Sequence, residues 1–334
     1  IDTILLSHGS GGKLSYKIIK EIILAGLGDA AAVDLDDSAS LKLKADRVAF
    51  STDSYVITPP FFPGADIGKL SICGTVNDLS MVGAKPMFIS CAFILEEGFS
   101  IQDLRKIIQS MRKAAKEARV KIVAGDIKVV NHGEADGVFI NTSGIGVIKK
   151  GVKISGANAR PGDKVILSGT IGDHGISVLS HREGLNLDIP IKTDCAPLNG
   201  LVEKMLKYST YIHAMRDPTR GGLATTLNEI AIQSDCAIEM DESKVPIKDA
   251  VRATCDILGL DPLYVANEGK LVAIVEEKAS EKVLNLMKNH RYGKKATIIG
   301  TVLPKPKGTV ILKTVTGTRR VLPMLTGEQL PRIC

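Results

Sequence analysis

At 334 residues the chain is long enough for two domains, each burying its own core. Hydrophobic residues at 44% against 24% charged exclude a disordered chain, and 4% aromatics with no Trp exclude a base-stacking platform for nucleic acid. The net charge of +6 is spread among acids rather than gathered into a basic arm, which suits an anionic ligand or partner.

The first 36 residues read as a glycine-rich flexible segment and a helix. RVAFSTDSYV has strand character, and after the turn-rich TPPFFPG the stretch DIGKLSICGTVNDLSMVG places apolar residues at helical spacing. A strand in PMFISCAFIL, a helix in IQDLRKIIQSMRKAAKEA and strands in VKIVAGD and GVFINTSGIGVI follow. That order predicts an α+β domain over 37–150, a sheet with helices on one face. KKGVKISGANARPGD marks a boundary, and 151–318 reads as a second, α/β domain with strands in KVILSG, KLVAIVE, ATIIGTVL and TVILK. Its helices are expected in LNGLVEKMLKY, GGLATTLNEIAIQ and KASEKVLNLMKN. Residues 319–334 read as a polar, mobile tail ending on Cys334.

The six cysteines (Cys73, Cys91, Cys195, Cys236, Cys255, Cys334) form no CxxC and no zinc-like cluster. With no signal peptide and no membrane span in view, a reducing, cytoplasmic setting is expected, without membrane or nucleic-acid partners.

Aspartates stand at strand ends and helix mouths: Asp36 and Asp37 in VDLDDSAS, then Asp53, Asp78, Asp126 and Asp217. Each alone reads as an N-cap or turn residue. Brought together they would repel unless a cation lay between them, and an all-oxygen set suits Mg²⁺ bridging to phosphates. Two glycine-rich stretches could approach such phosphates. SHGSGGKLS carries Gly9, Gly11, Gly12 and Lys13 but lacks the P-loop spacing. RDPTRGGLATTLNEIA places Asp217 and two glycines at a helix start. Glu268, in YVANEGKLVAIV, reads as the exposed glutamate of a hairpin turn.

Taken in order, DDSAS, TDSYVITPPFF, DIGKLSICGTVNDLSMVGAKP, AGDIKVV, MRDPTRGGLATTLNEIA, VANEGKLV and the final PRIC resemble the HypE family of hydrogenase-maturation factors along essentially the whole chain. The resemblance implies a PurM-like fold of two domains, the N-terminal one closing a β-barrel across a homodimer, with ATP in a cleft beside the C-terminal one. It implies an ATP-dependent carbamoyl dehydratase: a partner, HypF, loads Cys334 with a carboxamide, which is dehydrated to a thiocyanate. The cyano group then passes to iron on a HypC–HypD complex. Asp37, Asp53, Asp78, Asp126 and Asp217 are the expected Mg²⁺ ligands. With Asn77, Gly9, Gly11, Gly12 and Lys13 they are the expected ATP contacts, and Glu268 and Lys128 are candidate bases. A tail of about 16 residues would reach about 50 Å when extended. Two other readings remain open on the residues: a kinase or synthetase of the same fold acting on a diffusible substrate, and a carrier without turnover.

Overall fold

The computed structural model describes residues 2–32, 38–184 and 191–327. Asp36, Asp37 and Cys334 lie outside the described residues.

In the N-terminal half, strands β1 (Arg47–Tyr55), β4 (Ala84–Glu96), β5 (Lys121–Val130) and β6 (Val138–Ile148) form one sheet in the order β1-β6-β4-β5. The two-stranded ribbon β2 (Phe61–Phe62) and β3 (Ala65–Asp66) leads into helix α3 (Ile67–Met81), and α4 (Ile101–Ala118) packs beside it. Both helices cover one face of the sheet, as the sequence pattern predicts. α4 is amphipathic, capped by Ser100, whose hydroxyl accepts from the Asp103 amide at 3.3 Å. α3 is apolar or small almost all round and is buried almost all round. Its glycines permit this: a Cβ on Gly74 would lie 2.2 Å from the Tyr55 hydroxyl, and one on Gly68 2.5 Å from the Ile107 carbonyl. The first thirty residues form α1 (Gly12–Ile18), a π-helical stretch (Ile19–Leu24) and α2 (Ala25–Leu27), packed on α4.

The C-terminal half is a seven-stranded sheet in the order β13-β12-β9-β11-β7-β10-β8. Its strands are β7 (Lys164–Leu167), β8 (Ile212–Arg216), β9 (Ala237–Asp241), β10 (Val272–Val275), β11 (Thr297–Leu303), β12 (Thr309–Lys313) and β13 (Arg319–Val321). All neighbours pair antiparallel except β12 with β9. Helices α5 (Asp173–Arg182), α6 (Asn199–Met205), α7 (Gly222–Gln233), α8 (Asp249–Leu258) and α9 (Glu277–Lys288) complete it. A core cluster containing Met81, Ala84 and Ile148 with Ile166, Leu198 and Leu201 joins the two halves.

The segment expected to be a mobile tail from residue 319 begins differently. β13 pairs with β12, Leu322 is fully buried, and its carbonyl accepts from the Asn228 amide at 2.9 Å. The Tyr264 hydroxyl holds the Pro323 carbonyl at 2.9 Å. The chain is therefore pinned as far as Pro323, because an apolar Leu followed by Pro offers the sheet edge a plug that polarity alone does not reveal.

Candidate functional site

Strand alternation divides the expected site residues between the two faces of the N-terminal sheet. On β1, Ser51 and Asp53 face α3, where Ser51 Oγ donates to Asp78 Oδ2 at 2.7 Å. Asp217 follows β8 directly, and its field acts on Glu268. The result is an acidic cluster of Asp53, Asp78, Asp217 and Glu268. Burial raises the Asp78 carboxyl above its ordinary range; Ser51 offsets part of this and Asp53 adds to it. Burial, then the charge of Asp78, pushes Asp217 up to about 7. A cavity of about 410 Å³ opens beside Asp78 and Asp217, walled by Leu79, Met81, Ile154 and Met215 and bordered by Arg216.

Glu268 is not the exposed turn residue its Asn-Glu-Gly setting suggests. It is 8% exposed, and the segment before β10 is woven into its neighbours rather than closing a hairpin. Asn267 is fully buried; its side chain accepts from the Gly172 amide at 2.8 Å and donates to the Pro218 carbonyl at 2.9 Å. Gly269 passes so close to Asp194 that a Cβ would lie 1.8 Å from its carbonyl oxygen. The Glu268 amide donates to Asp194 Oδ1 at 3.1 Å, while Asp194 Oδ2 pairs with Lys270 at 2.9 Å. Burial, then Cys195 and Asp217, raises the Glu268 carboxyl well above the carboxylate range.

Asn77, expected to touch nucleotide, engages the wall with its side-chain amide. Its Nδ2 donates to the carbonyls of Ala196 at 3.1 Å and Glu268 at 3.4 Å, and its Oδ1 accepts from the Leu198 amide at 2.8 Å.

Asp126 and Lys128 do not join this cluster. They are exposed on the sheet's other face, in register with Ala92 and Ile94 on β4. That face continues through Asn141 and Ser143 on β6 to Ser54 and Thr52 on β1, linked at 3.0 and 2.8 Å. Gly9 packs against Val129 of β5, where a Cβ would lie 2.4 Å from the amide nitrogen. Gly11 and Gly12 adopt φ of +81° and +73°, which only glycine takes without strain, and Lys13 is exposed beside them. The glycine loop therefore borders β5, while Asp53 lies on β1, three strand spacings or about 14 Å away. Among the described residues no three acidic, His or Cys side chains enclose a metal position. Asp194 and Lys270 escaped the sequence reading; the NEGK and KTDC contexts hold them but give no spacing rule that joins them.

Two family models, for the N-terminal and C-terminal domains of AIR synthase related proteins, match residues 35–148 and 160–313. These matches cover most of the chain and define a PurM-like protein of two domains. The carbamoyl dehydratase HypE of Azotobacter vinelandii is 49% identical over 98% of this chain and 96% of its own. A crystal structure of the hydrogenase maturation protein HypE in complex with ATP superposes with a TM-score of 0.94 at 48% identity, over 99% of this chain and all of that one. A HypE–HypF complex matches at a TM-score of 0.82 and 48% identity, over 92% and 99% of the two chains. The chain belongs to the HypE family of carbamoyl dehydratases.

Proposed function

We propose that this chain uses ATP to dehydrate an S-carboxamide on Cys334 to an S-thiocyanate, the source of a cyanide ligand for a hydrogenase iron centre. The observation that carries the chemistry is the buried acidic cluster ending in Glu268, inside a chain that shares its fold and 48% of its residues with an ATP-bound HypE. An amide oxygen is a poor leaving group. Phosphorylated by the γ-phosphoryl group of ATP it departs as phosphate, both N–H protons are lost, and C≡N remains. The protein positions the reactants, neutralises charge and accepts a proton.

The carboxylates fit Mg²⁺ in one respect. Asp78 and Asp217 are raised partly by neighbouring acids, a repulsion that a divalent cation relieves. They do not form a closed chelate, which suits an ion bound through one or two carboxylates and the phosphates of its nucleotide. Mg²⁺ would neutralise charge on the triphosphate there. Glu268, set in a fixed main-chain frame, is the residue placed to accept a proton from the amide nitrogen. Lys128 is the second candidate, and it stands on the wrong face to serve its own chain's cluster.

That placement supports a homodimer. The open face of the sheet carries Phe50, 69% exposed, with Val48 and Ile94. Pairing two such faces covers them and brings Asp126, Lys128 and the glycine loop of one copy toward the acidic cluster of the other. HypF as a partner is supported by the HypE–HypF relative, and its role as carbamoyl donor by the family resemblance. A HypC–HypD acceptor follows from the family resemblance, and a reducing cytoplasm suits five buried free thiols. The test is mass spectrometry of the C-terminal peptide after incubation with HypF, carbamoyl phosphate and ATP. A carboxamide adduct that loses one water only with ATP is expected; a stable adduct in the presence of ATP would overturn the reading.

A further inference from the structure

A second cavity, of about 450 Å³, shares no lining residue with the acidic one. It opens at the other end of α3, beside Lys69 in the first turn, and its floor is made by Ser168–Thr170, Asp194–Ala196 and Gly269–Lys270. The two acids on its wall are already paired: Asp194 with Lys270 at 2.9 Å, and Asp173 with Lys248 at 3.0 Å. Arg291 on the rim is paired with Glu117. Lys69, Lys192, Lys294 and Lys295 also line the cavity, and none forms an ion pair among the described residues. Four ammonium groups from three separate segments thus line one concavity, three of them exposed and without an acidic partner and the fourth, Lys69, also acting on Asp66.

We infer that this cavity binds a small phosphoryl-bearing anion. Like charges facing one another across a concave, low-dielectric wall focus a positive potential into it, unlike lysines scattered over a convex surface. Lysine is a point-charge phosphate binder with three donors that need no fixed plane, so four of them adapt to a multiply charged oxyanion. The site also touches the reaction centre through one short path. Lys270, only 12% exposed, lines the cavity and holds Asp194, whose other oxygen holds the Glu268 amide. An anion that draws on Lys270 therefore loosens the frame around Glu268.

The probe is pyrophosphate in EDTA. Without a divalent cation it is repelled by the acidic cluster and attracted to the basic cavity, so the two sites separate. Calorimetric titration of the full chain should give one saturable, salt-sensitive site. Lys192, Lys294 and Lys295 are exposed, so Lys192→Ala/Lys294→Ala/Lys295→Ala should fold normally. It should bind pyrophosphate at least 10-fold more weakly while keeping wild-type affinity for Mg-ATP. Asp78→Asn should bind pyrophosphate as wild type does. Binding by the triple variant within twofold of wild type, or no saturable binding to wild type, would overturn the inference.

Discussion

Asn77 and Glu268 stand 191 positions apart in the chain, yet the Asn77 amide donates to the Glu268 carbonyl at 3.4 Å. The same side chain ties down Ala196 and Leu198, so one buried amide on α3 aligns the segment that carries the proposed base. Asn77→Ala leaves the Ala196 carbonyl and the Leu198 amide without this partner, while the Glu268 carbonyl still accepts from the Ala196 amide at 3.2 Å; the cost is about 1–3 kcal/mol for each group left unsatisfied. Lower urea stability is expected, together with slower dehydration per folded molecule in single-turnover assays. A purely structural role would leave that second rate untouched.

Glu268→Gln keeps the shape of the protonated side chain and removes its basicity. Loss of a general base costs roughly 10²–10⁴-fold. A drop of that size in thiocyanate formation should come with unchanged Mg-ATP affinity and an undiminished Tm. The wild-type rate should climb with pH as the raised carboxyl gives up its proton, and the variant should lose that limb. Near-normal dehydration by the variant would leave Lys128 as the remaining base.

Asp78 and Asp126 face opposite sides of one sheet, which makes a subunit-mixing experiment decisive. In the proposed homodimer, Asp78→Asn and Asp126→Asn should each bind Mg-ATP poorly. In a mixed dimer, a site built from both copies collects both defects on one side and none on the other, restoring up to about half of the sites. If Asp126 instead serves its own chain, mixing restores nothing.

Asp217 links stability to pH. Its carboxyl is pushed up to about 7 in the folded chain, by burial and then by Asp78, from an ordinary value of 3.8. Between those values the folded chain keeps a proton that the unfolded chain has lost, so stability falls as pH rises through 7. Without Mg²⁺, Tm should drop by a few degrees between about pH 6 and about pH 8. Asp217→Asn should flatten that slope, and added Mg²⁺ should raise Tm mainly on the alkaline side. A slope identical in the variant would assign it elsewhere.

Long periodic segments declared themselves in the sequence. β1, β4, β5, β6, α4, α7 and α9 follow alternation or helical spacing, long enough for the period to show. The short β8 and β9, together with α5, α8 and β13, did not, since five-residue strands such as IHAMR and AIEMD are fixed by their sheet neighbours rather than by their own pattern. Asp53, Asp78 and Asp217 could be picked out as acids at element ends. That Asp126 turns its back on them is a matter of strand parity, visible only once the register with Ala92 is known. Glu268 looked exposed because Asn-Glu-Gly is turn chemistry. The burial comes from Asn77, Asp194 and Pro218, which arrive from three distant segments.

The plug at Leu322 and Pro323 sets a tether radius. With the chain held by Asn228 and Tyr264, Cys334 stands eleven residues beyond Pro323, the last hydrogen-bonded anchor among the described residues. Fully extended they span roughly 36 Å, about 17 Å less than a tail released at residue 319. On the proposed function, the chain's own cleft, a carbamoyl donor and a cyanide acceptor would each have to bring the reactive atom inside a sphere of that radius centred on Pro323. The fold thereby restricts where on its surface such partners can sit.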